Sequence, residues 1–188
     1  MSISTLGKSF KYGTDKLKGD NIMRQIHTKI LDDCGQFLRS NGLKLLCAES
    51  MTAGYLSSIW ALEVHSGDYF LGSLICYDDS MKTQFLVVPQ QKIEKYCAES
   101  AVVTLRMLDG LSKLARLNTV FISITGLAFE SSNPQQTRPI GTVYYAFQYQ
   151  QQKKIFKRQF GGEASDILID CCNNLLKDLY DWLQECIK

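Results

Sequence analysis

Histidine is scarce in this sequence, which has only His27 and His65, and its seven cysteines form no C-x-x-C pair. A zinc site needs several histidine or cysteine ligands at short spacings, so we expect no metal. A Ser-His-Asp hydrolase needs a histidine beside its serine. His27 falls on a predicted helix and His65 in a predicted exposed loop. Neither position supports a histidine-based triad.

Long apolar runs and a strong charge bias are missing as well. No stretch of about 18 apolar residues occurs, so no membrane-spanning helix is expected. The net charge of +2 is too small to indicate nucleic-acid binding. The basic stretch 153–158 alternates with apolar residues, which is typical of the solvated face of a strand. The first 19 residues lack the apolar segment of a secretory signal, so we expect a cytoplasmic protein that binds neither membrane nor nucleic acid.

The cysteines and the length fit one intracellular domain. Seven is an odd number, and most of the cysteines lie in apolar runs, as buried reduced thiols do. The chain has 188 residues, 45% of them hydrophobic, which suits one globular core. We assign residues 1–20 to a flexible N-terminal extension and residues 21–188 to a single domain.

Strands and helices alternate along the chain. Helices are predicted over 22–40, from residue 54 to about 62, then over 78–86, from Pro89 onward, over 100–117 and over 165–187. Strands are predicted over 43–47, 70–77 and 119–125, and an antiparallel hairpin over 141–150 and 153–160. The segment 127–139 has no periodicity and is predicted to be a loop. This order predicts a single-domain, three-layer α/β/α fold with a mixed sheet.

The turn at Ser50 is the most informative point of the sequence. It follows a buried strand and precedes a helix, and ligands bind at that end of the strands in open α/β sheets. We expect the free N–H groups of the helix to point back into the turn, where they would hold an anion or an oxyanion. Ala53 and Gly54 are small enough to let a ligand approach. A serine before a helix is also an ordinary N-cap, so the turn alone leaves both interpretations open.

Four ordered motifs resemble the CinA C-terminal-domain family, which includes nicotinamide-nucleotide amidohydrolases. Residues 48–54, AESMTAG, match the family's A-E-S-[CM]-T-[GA]-G signature, and residues 72–82 match its G-x-x-x-x-Y-x-x-x-x-K stretch. Residues 125–128, TGLA, match its T-G-[IL]-A turn, and residues 138–143, RPIGTV, match its [KR]-P-[VI]-G-T-V segment. The resemblance runs from about Leu43 to the C-terminus.

The resemblance implies a deamidase that converts nicotinamide mononucleotide to nicotinate mononucleotide and ammonia. It implies Ser50 as nucleophile with Tyr77 and Lys82 as its activating partners. The motif positions implied to bind the nucleotide substrate are Glu49, Thr52, Gly54, Thr125, Gly126, Arg138 and Gly141. No cofactor is implied, because hydrolysis through an acyl intermediate needs only water. The resemblance also implies a homo-oligomer, most simply a homodimer with two-fold symmetry.

The three implied catalytic residues make chemical sense together. A serine hydroxyl is a weak nucleophile until a neighbouring base takes its proton. Lysine acts as a base only in its neutral form. We expect Tyr77 to close a strand and Lys82 to lie one turn into the next helix, so that both meet over Ser50. The hypothesis is that neutral Lys82 accepts the serine proton, directly or through Tyr77; the alternative is a surface lysine and a core tyrosine.

The sequence departs from the family pattern at three places. The family's Gly-Pro and Gly-rich stretch after the TGLA turn is replaced by residues 129–133, FESSN, which brings in Glu130. The family's Gly-Asp-Arg reads Gly161-Gly162-Glu163, so a phosphate-pairing arginine becomes a carboxylate. The family's Gly-Ser-Ser loop reads Gly67-Asp68-Tyr69. Two hypotheses therefore stand: an amidohydrolase with an altered substrate, or a catalytically degenerate relative that only binds.

Overall fold

The structure, a computed structural model, describes residues 24–115 and 118–187. The extension predicted over 1–20 lies outside the described residues, as do residues 22–23 of the first predicted helix and residues 116–117 of the fifth. No helix within the described ranges is both long enough and apolar enough to cross a membrane.

A five-stranded sheet forms the middle layer, in the order β2-β1-β3-β4-β5. Its strands are β1 (Lys44–Glu49), β2 (Phe70–Ile75), β3 (Thr119–Gly126), β4 (Thr142–Tyr149) and β5 (Gln152–Gln159). The first three strands are parallel to one another, whereas β4 runs antiparallel to both β3 and β5. The predicted mixed sheet and hairpin are therefore confirmed.

Helices cover both faces of the sheet. They are α1 (Thr28–Ser40), α2 (Tyr55–Trp60), α3 (Asp79–Leu86), α4 (Gln90–Tyr96), α5 (Ala101–Leu111) and α6 (Ala164–Cys186). The apolar faces of α1, α2 and α6 pack on one side of the sheet, and those of α3, α4 and α5 on the other. Successive residues of β1 alternate between the two cores: Leu45 enters the first and Leu46 the second. The α/β/α prediction is confirmed.

The first helix begins later than predicted, because a residue far along the chain holds its predicted first turn in a non-helical conformation. Asn173 on α6 accepts a hydrogen bond from the His27 N–H at 2.9 Å and donates one to the Gln25 carbonyl at 2.9 Å. These bonds occupy backbone groups that a helix would use. The predicted start at Ile22, capped by Asp20 or Asn21, is therefore wrong for residues 24–27, and α1 starts at Thr28.

Two further boundaries bear on the site. β2 ends at Ile75, so Tyr77 does not close a strand as predicted but follows one in a loop. α5 ends at Leu111 rather than at 117. The carboxyl ends of β1, β2 and β3 meet the start of β4 at one edge of the sheet, since Glu49 is paired with Ile75 and Gly126 with Val143.

The cysteines offer a simple test of the packing. All seven are free, and six are buried, the exception being Cys186. Burial raises the pKa of the Cys34 and Cys47 thiols, so the reactive thiolate is scarce at pH 8. We expect a chromogenic disulfide reagent at pH 8 to modify about one thiol per native chain quickly and all seven after unfolding in urea. Fast modification of three or more native thiols would contradict this packing.

Candidate active site

A cavity of about 420 Å³ lies at the carboxyl edge of the sheet. Ser50 and Tyr77 both line it, together with Met51, Glu99 and the loop 126–132. Ser50 follows directly after β1, and its N–H donates to the Ile124 carbonyl of β3 at 3.1 Å. Two of the three predicted catalytic residues therefore share one cavity.

The turn that carries Ser50 is held by Glu49, which has no exposed surface. Its carboxylate accepts hydrogen bonds from the backbone N–H groups of Gly54, Leu56 and Ser57 at 2.9–3.1 Å and from the Ser57 hydroxyl at 2.5 Å. Of the backbone N–H groups of residues 54–57, the one on Tyr55 bonds instead to the Thr52 carbonyl. The expectation that the start of α2 offers free N–H groups to an anion is therefore wrong, because Glu49 occupies them.

Glu49→Ala is expected to lower the free energy of unfolding by about 3 kcal/mol, because it leaves several buried donors without an acceptor. Glu49→Gln keeps one acceptor oxygen and should cost less. Urea unfolding followed by circular dichroism measures both. Glu94→Ala, on an exposed face of α4, is the control and should stay within about 0.5 kcal/mol of wild type. A Glu49→Ala loss as small as that of the control would refute the role of the carboxylate.

Ser50 is left free for chemistry. Its hydroxyl makes no hydrogen bond to any described residue, and the backbone N–H groups of Met51 and Thr52 are likewise unbonded within 24–115 and 118–187. Unbonded N–H groups beside a nucleophile are what an oxyanion hole requires. The helix before which Ser50 lies is capped by Glu49 instead, so Ser50 is not its N-cap.

Lys82 lies behind the cavity rather than in its lining. It is 1% exposed on α3, and its Nζ donates to the Tyr77 carbonyl and to Asp79 Oδ1, both at 3.0 Å. The helix is started by Asp78, whose pKa is lowered by hydrogen bonds from Ser80. The predicted surface-lysine alternative is wrong, because Lys82 is buried. Its contact with Tyr77 is to the main chain, while the Tyr77 side chain is 52% exposed.

Cys76 is a thiol nucleophile near this edge, and its environment keeps it inert. It is 1% exposed, and burial raises the pKa of its thiol, although Lys82 acts in the opposite direction. A buried thiol with a raised pKa supplies little thiolate at neutral pH. Ser50 is therefore the better candidate nucleophile of the pair.

The predicted substrate-binding residues divide into one that lines the cavity and several that shape the backbone. Gly126 lines the cavity, and a Cβ there would lie 2.3 Å from the Met51 sulfur. Thr125 is fully buried, with its hydroxyl 2.8 Å from that of Thr104.

Gly54 and Gly141 have φ of 97° and 84°, which favour glycine. Thr52 is 2% exposed, and its hydroxyl has no partner among the described residues.

Arg138 lines a neighbouring cavity of about 330 Å³. Its guanidinium donates to Gln136 Oε1 at 3.1 Å and to the Tyr96 carbonyl at 3.3 Å. The Gln136 amide in turn donates to Glu99 Oε2 at 2.6 Å. Residues 127 and 129–131 line both cavities, and Gln136 links Arg138 to Glu99 of the Ser50 cavity through hydrogen bonds.

Two basic residues of the β4–β5 hairpin that carry charge near the sheet are paired with carboxylates. Arg158 pairs with Asp178 at 2.7 Å, and Lys153 pairs with Asp109. Glu163 precedes α6, and its N–H donates to Asp166 at 3.1 Å. Glu163 therefore belongs to the start of a helix and lines neither of the two cavities.

Sequence reasoning missed Glu99 and the aromatic ring of Phe129 as cavity residues. Glu99 lies between α4 and α5, and no local pattern distinguishes it from other exposed carboxylates. Only the packing of loop 127–139 against that segment brings it to Ser50. The described residues contain no group of three or more His, Cys, Asp or Glu side chains placed to hold a metal ion.

Comparison with known proteins gives consistent relatives. A family model described as the CinA C-terminal domain matches residues 27–183. A CinA-like protein of Rippkaea orientalis is 38% identical over 131 residues, which cover 69% of this chain and 31% of the relative. A CinA-like protein of Thermotoga neapolitana is 29% identical over 150 residues, covering 80% of this chain and 36% of the relative. The chain thus spans about a third of the length of these curated relatives.

Solved structures share the fold. The competence damage-inducible protein A of Klebsiella pneumoniae superposes with a TM-score of 0.80 at 21% identity, covering 85% of this chain and 98% of that one. A CinA superfamily protein of Escherichia coli gives a TM-score of 0.75 at 27% identity, covering 86% and 98%. Since the family model matches most of its length, this chain belongs to the CinA C-terminal domain family.

Proposed function

We propose that this protein is an amidohydrolase that cleaves the carboxamide of nicotinamide mononucleotide or of a related pyridinium amide, with Ser50 as nucleophile. One observation carries the proposal: an unengaged serine hydroxyl lines a cavity beside two unbonded backbone N–H groups, among the described residues. A nucleophile next to oxyanion donors is the arrangement that acyl transfer requires. The family resemblance supplies the pyridine nucleotide as substrate class.

The reaction proceeds through an acyl-enzyme. Ser50 Oγ attacks the carboxamide carbon and passes its proton to neutral Lys82, and the N–H groups of Met51 and Thr52 stabilise the oxyanion. The C–N bond breaks as Lys82 passes that proton to the leaving amide nitrogen, which departs as ammonia. Water then attacks the ester, and the carboxylate product leaves with the Ser50 hydroxyl restored. One water is consumed for each ammonia released.

Lys82 is the base in this proposal, and Tyr77 positions it. The hydrogen bond from Lys82 Nζ to the Tyr77 carbonyl supports this role, because Tyr77 is one of the residues that line the cavity. The half-exposed carboxylate of Asp79 pairs with the ammonium form, so the ammonium must lose a proton to solvent and leave Asp79 before the neutral amine can accept the Ser50 proton. A general base of this kind contributes about 10²- to 10⁴-fold to rate.

The second candidate function is a binding protein that keeps the fold without turnover. The observation in its favour is that Lys82 Nζ contacts Asp79 and the Tyr77 carbonyl and makes no hydrogen bond to Ser50. A ligand that binds only the folded state raises the melting temperature with concentration. A ligand-dependent melting shift without any product would therefore favour this function.

The test is ammonia and carboxylate release by the purified protein, assayed with nicotinamide mononucleotide and with smaller pyridinium amides, against a Ser50→Ala control. Equal amounts of ammonia and acid that require Ser50 support the amidohydrolase. Absence of product from every amide at high enzyme concentration overturns it and leaves the binding function.

A further inference from the structure

The charged groups of the Ser50 cavity are all acidic. Glu99 and Glu130 line it, and none of the described lining residues is lysine or arginine. Arg138 lines the neighbouring cavity, and its guanidinium donates hydrogen bonds to Gln136 and to the Tyr96 carbonyl. Lys82 is not among the residues that line the cavity, and its Nζ forms an ion pair with Asp79. Since no described lining side chain is a cation, a phosphate dianion in this cavity would meet the two carboxylates, which is unfavourable.

The same cavity presents two aromatic rings. Tyr77 is 52% exposed and Phe129 is 59% exposed, and both line the cavity. The face of such a ring attracts a cation, most strongly where water is partly excluded. Exposed aromatic rings together with carboxylates suit a flat organic cation. The hydroxyls of Ser131 and Ser132 complete a lining that offers neutral hydrogen bonds rather than positive charge.

We propose that the cavity selects a cationic pyridinium carboxamide that carries no phosphate, with Glu99 and Glu130 as specificity-determining residues. This inference rests on the proposed function, since it names the substrate class of the same site. The reaction is unchanged: a carboxamide and water give a carboxylate and an ammonium ion. Only the substituent on the ring nitrogen differs, a neutral sugar or alkyl group replacing a phosphorylated sugar.

The two probes are nicotinamide riboside and nicotinamide mononucleotide, which share the pyridinium carboxamide and differ by one phosphate. We expect kcat/KM for the riboside to exceed that for the mononucleotide by about tenfold or more at low ionic strength. Since salt screens exposed charges, the ratio should fall as sodium chloride rises from about 0.05 M to about 0.5 M.

Glu130→Gln is the informative variant, because Glu130 is exposed on a loop and its replacement does not threaten the fold. It should lower the riboside preference by about threefold or more through improved use of the mononucleotide. Glu185→Gln removes the same charge from the opposite end of the molecule, where Glu185 pairs with Lys154, and should leave the ratio unchanged. A general effect of net charge would move both variants alike.

The outcomes separate this inference from the proposed function. Ser50-dependent turnover that prefers the mononucleotide keeps the function and overturns the inference. If neither probe is hydrolysed, calorimetric titration of the unmodified protein with both probes decides. Riboside binding that is tighter than mononucleotide binding, and weakened by Glu130→Gln but not by Glu185→Gln, then supports the inference. Binding of neither probe, or tighter binding of the mononucleotide, overturns it.

Discussion

Ser50→Ala is expected to reduce ammonia release from a pyridinium amide by at least about a thousandfold, without loss of stability. The hydroxyl is the attacking group in the proposed reaction, and it lines the cavity next to the unbonded backbone N–H groups of Met51 and Thr52, among the described residues. Stability should be retained because the Ser50 side chain makes no hydrogen bond to the described residues, while Glu49 holds the turn. Initial rates and thermal melting measure the two effects.

The matched control is Ser58→Ala, an exposed serine on α2 outside the cavity. It should keep wild-type turnover, so that a difference between the two alanine variants reports position rather than serine content. Quenching the wild-type reaction and measuring the intact mass should show an acyl adduct that Ser50→Ala lacks. Comparable rates for wild type and Ser50→Ala would remove Ser50 as nucleophile.

Lys82→Met is expected to lower kcat by about 10²- to 10⁴-fold, as removal of a general base does, with a much smaller change in KM. Methionine has nearly the length of the lysine stem and fills the same buried space. The carboxylate left behind, Asp79, is half-exposed, so water can solvate it and the loss of stability should be modest. The fold should therefore survive, and the loss should lie in the chemical step.

The control for Lys82→Met is Lys113→Met. Lys113 is exposed after α5, and its replacement should leave kcat and KM unchanged. Rates should be measured across pH, since loss of a base removes the rise of kcat with pH that a titrating amine produces. Undiminished turnover in Lys82→Met, with a normal melting temperature, would refute the role of the amine.

Much of the fold was predictable because each element carries a local pattern. The parallel strands are short apolar runs, and α6 has a clear amphipathic repeat, so both were placed within a few residues. The start of α1 was mispredicted because it depends on Asn173, which is about 146 residues away in sequence. Such a contact leaves no trace in the local pattern.

The site was predictable where a motif carries the chemistry and not where packing does. Ser50 and Tyr77 were found from ordered motifs and share the cavity. Glu49 was expected to bind substrate because the family motif implies it, whereas its buried carboxylate accepts N–H groups at the start of α2. Glu163 was expected to oppose a phosphate, yet it precedes a helix. Side-chain direction decided both cases, and sequence does not encode it locally.

The way Glu49 caps α2 separates two tasks that one residue often performs. In many strand-to-helix turns the serine itself is the N-cap, so its hydroxyl is consumed by the backbone. Here the preceding carboxylate meets that demand, and the side chain at position 50 is released from capping the helix. Evolution or design can therefore exchange the reactive atom at this position while the scaffold stays intact. Loss or change of catalysis in such a protein would leave no signature in its stability.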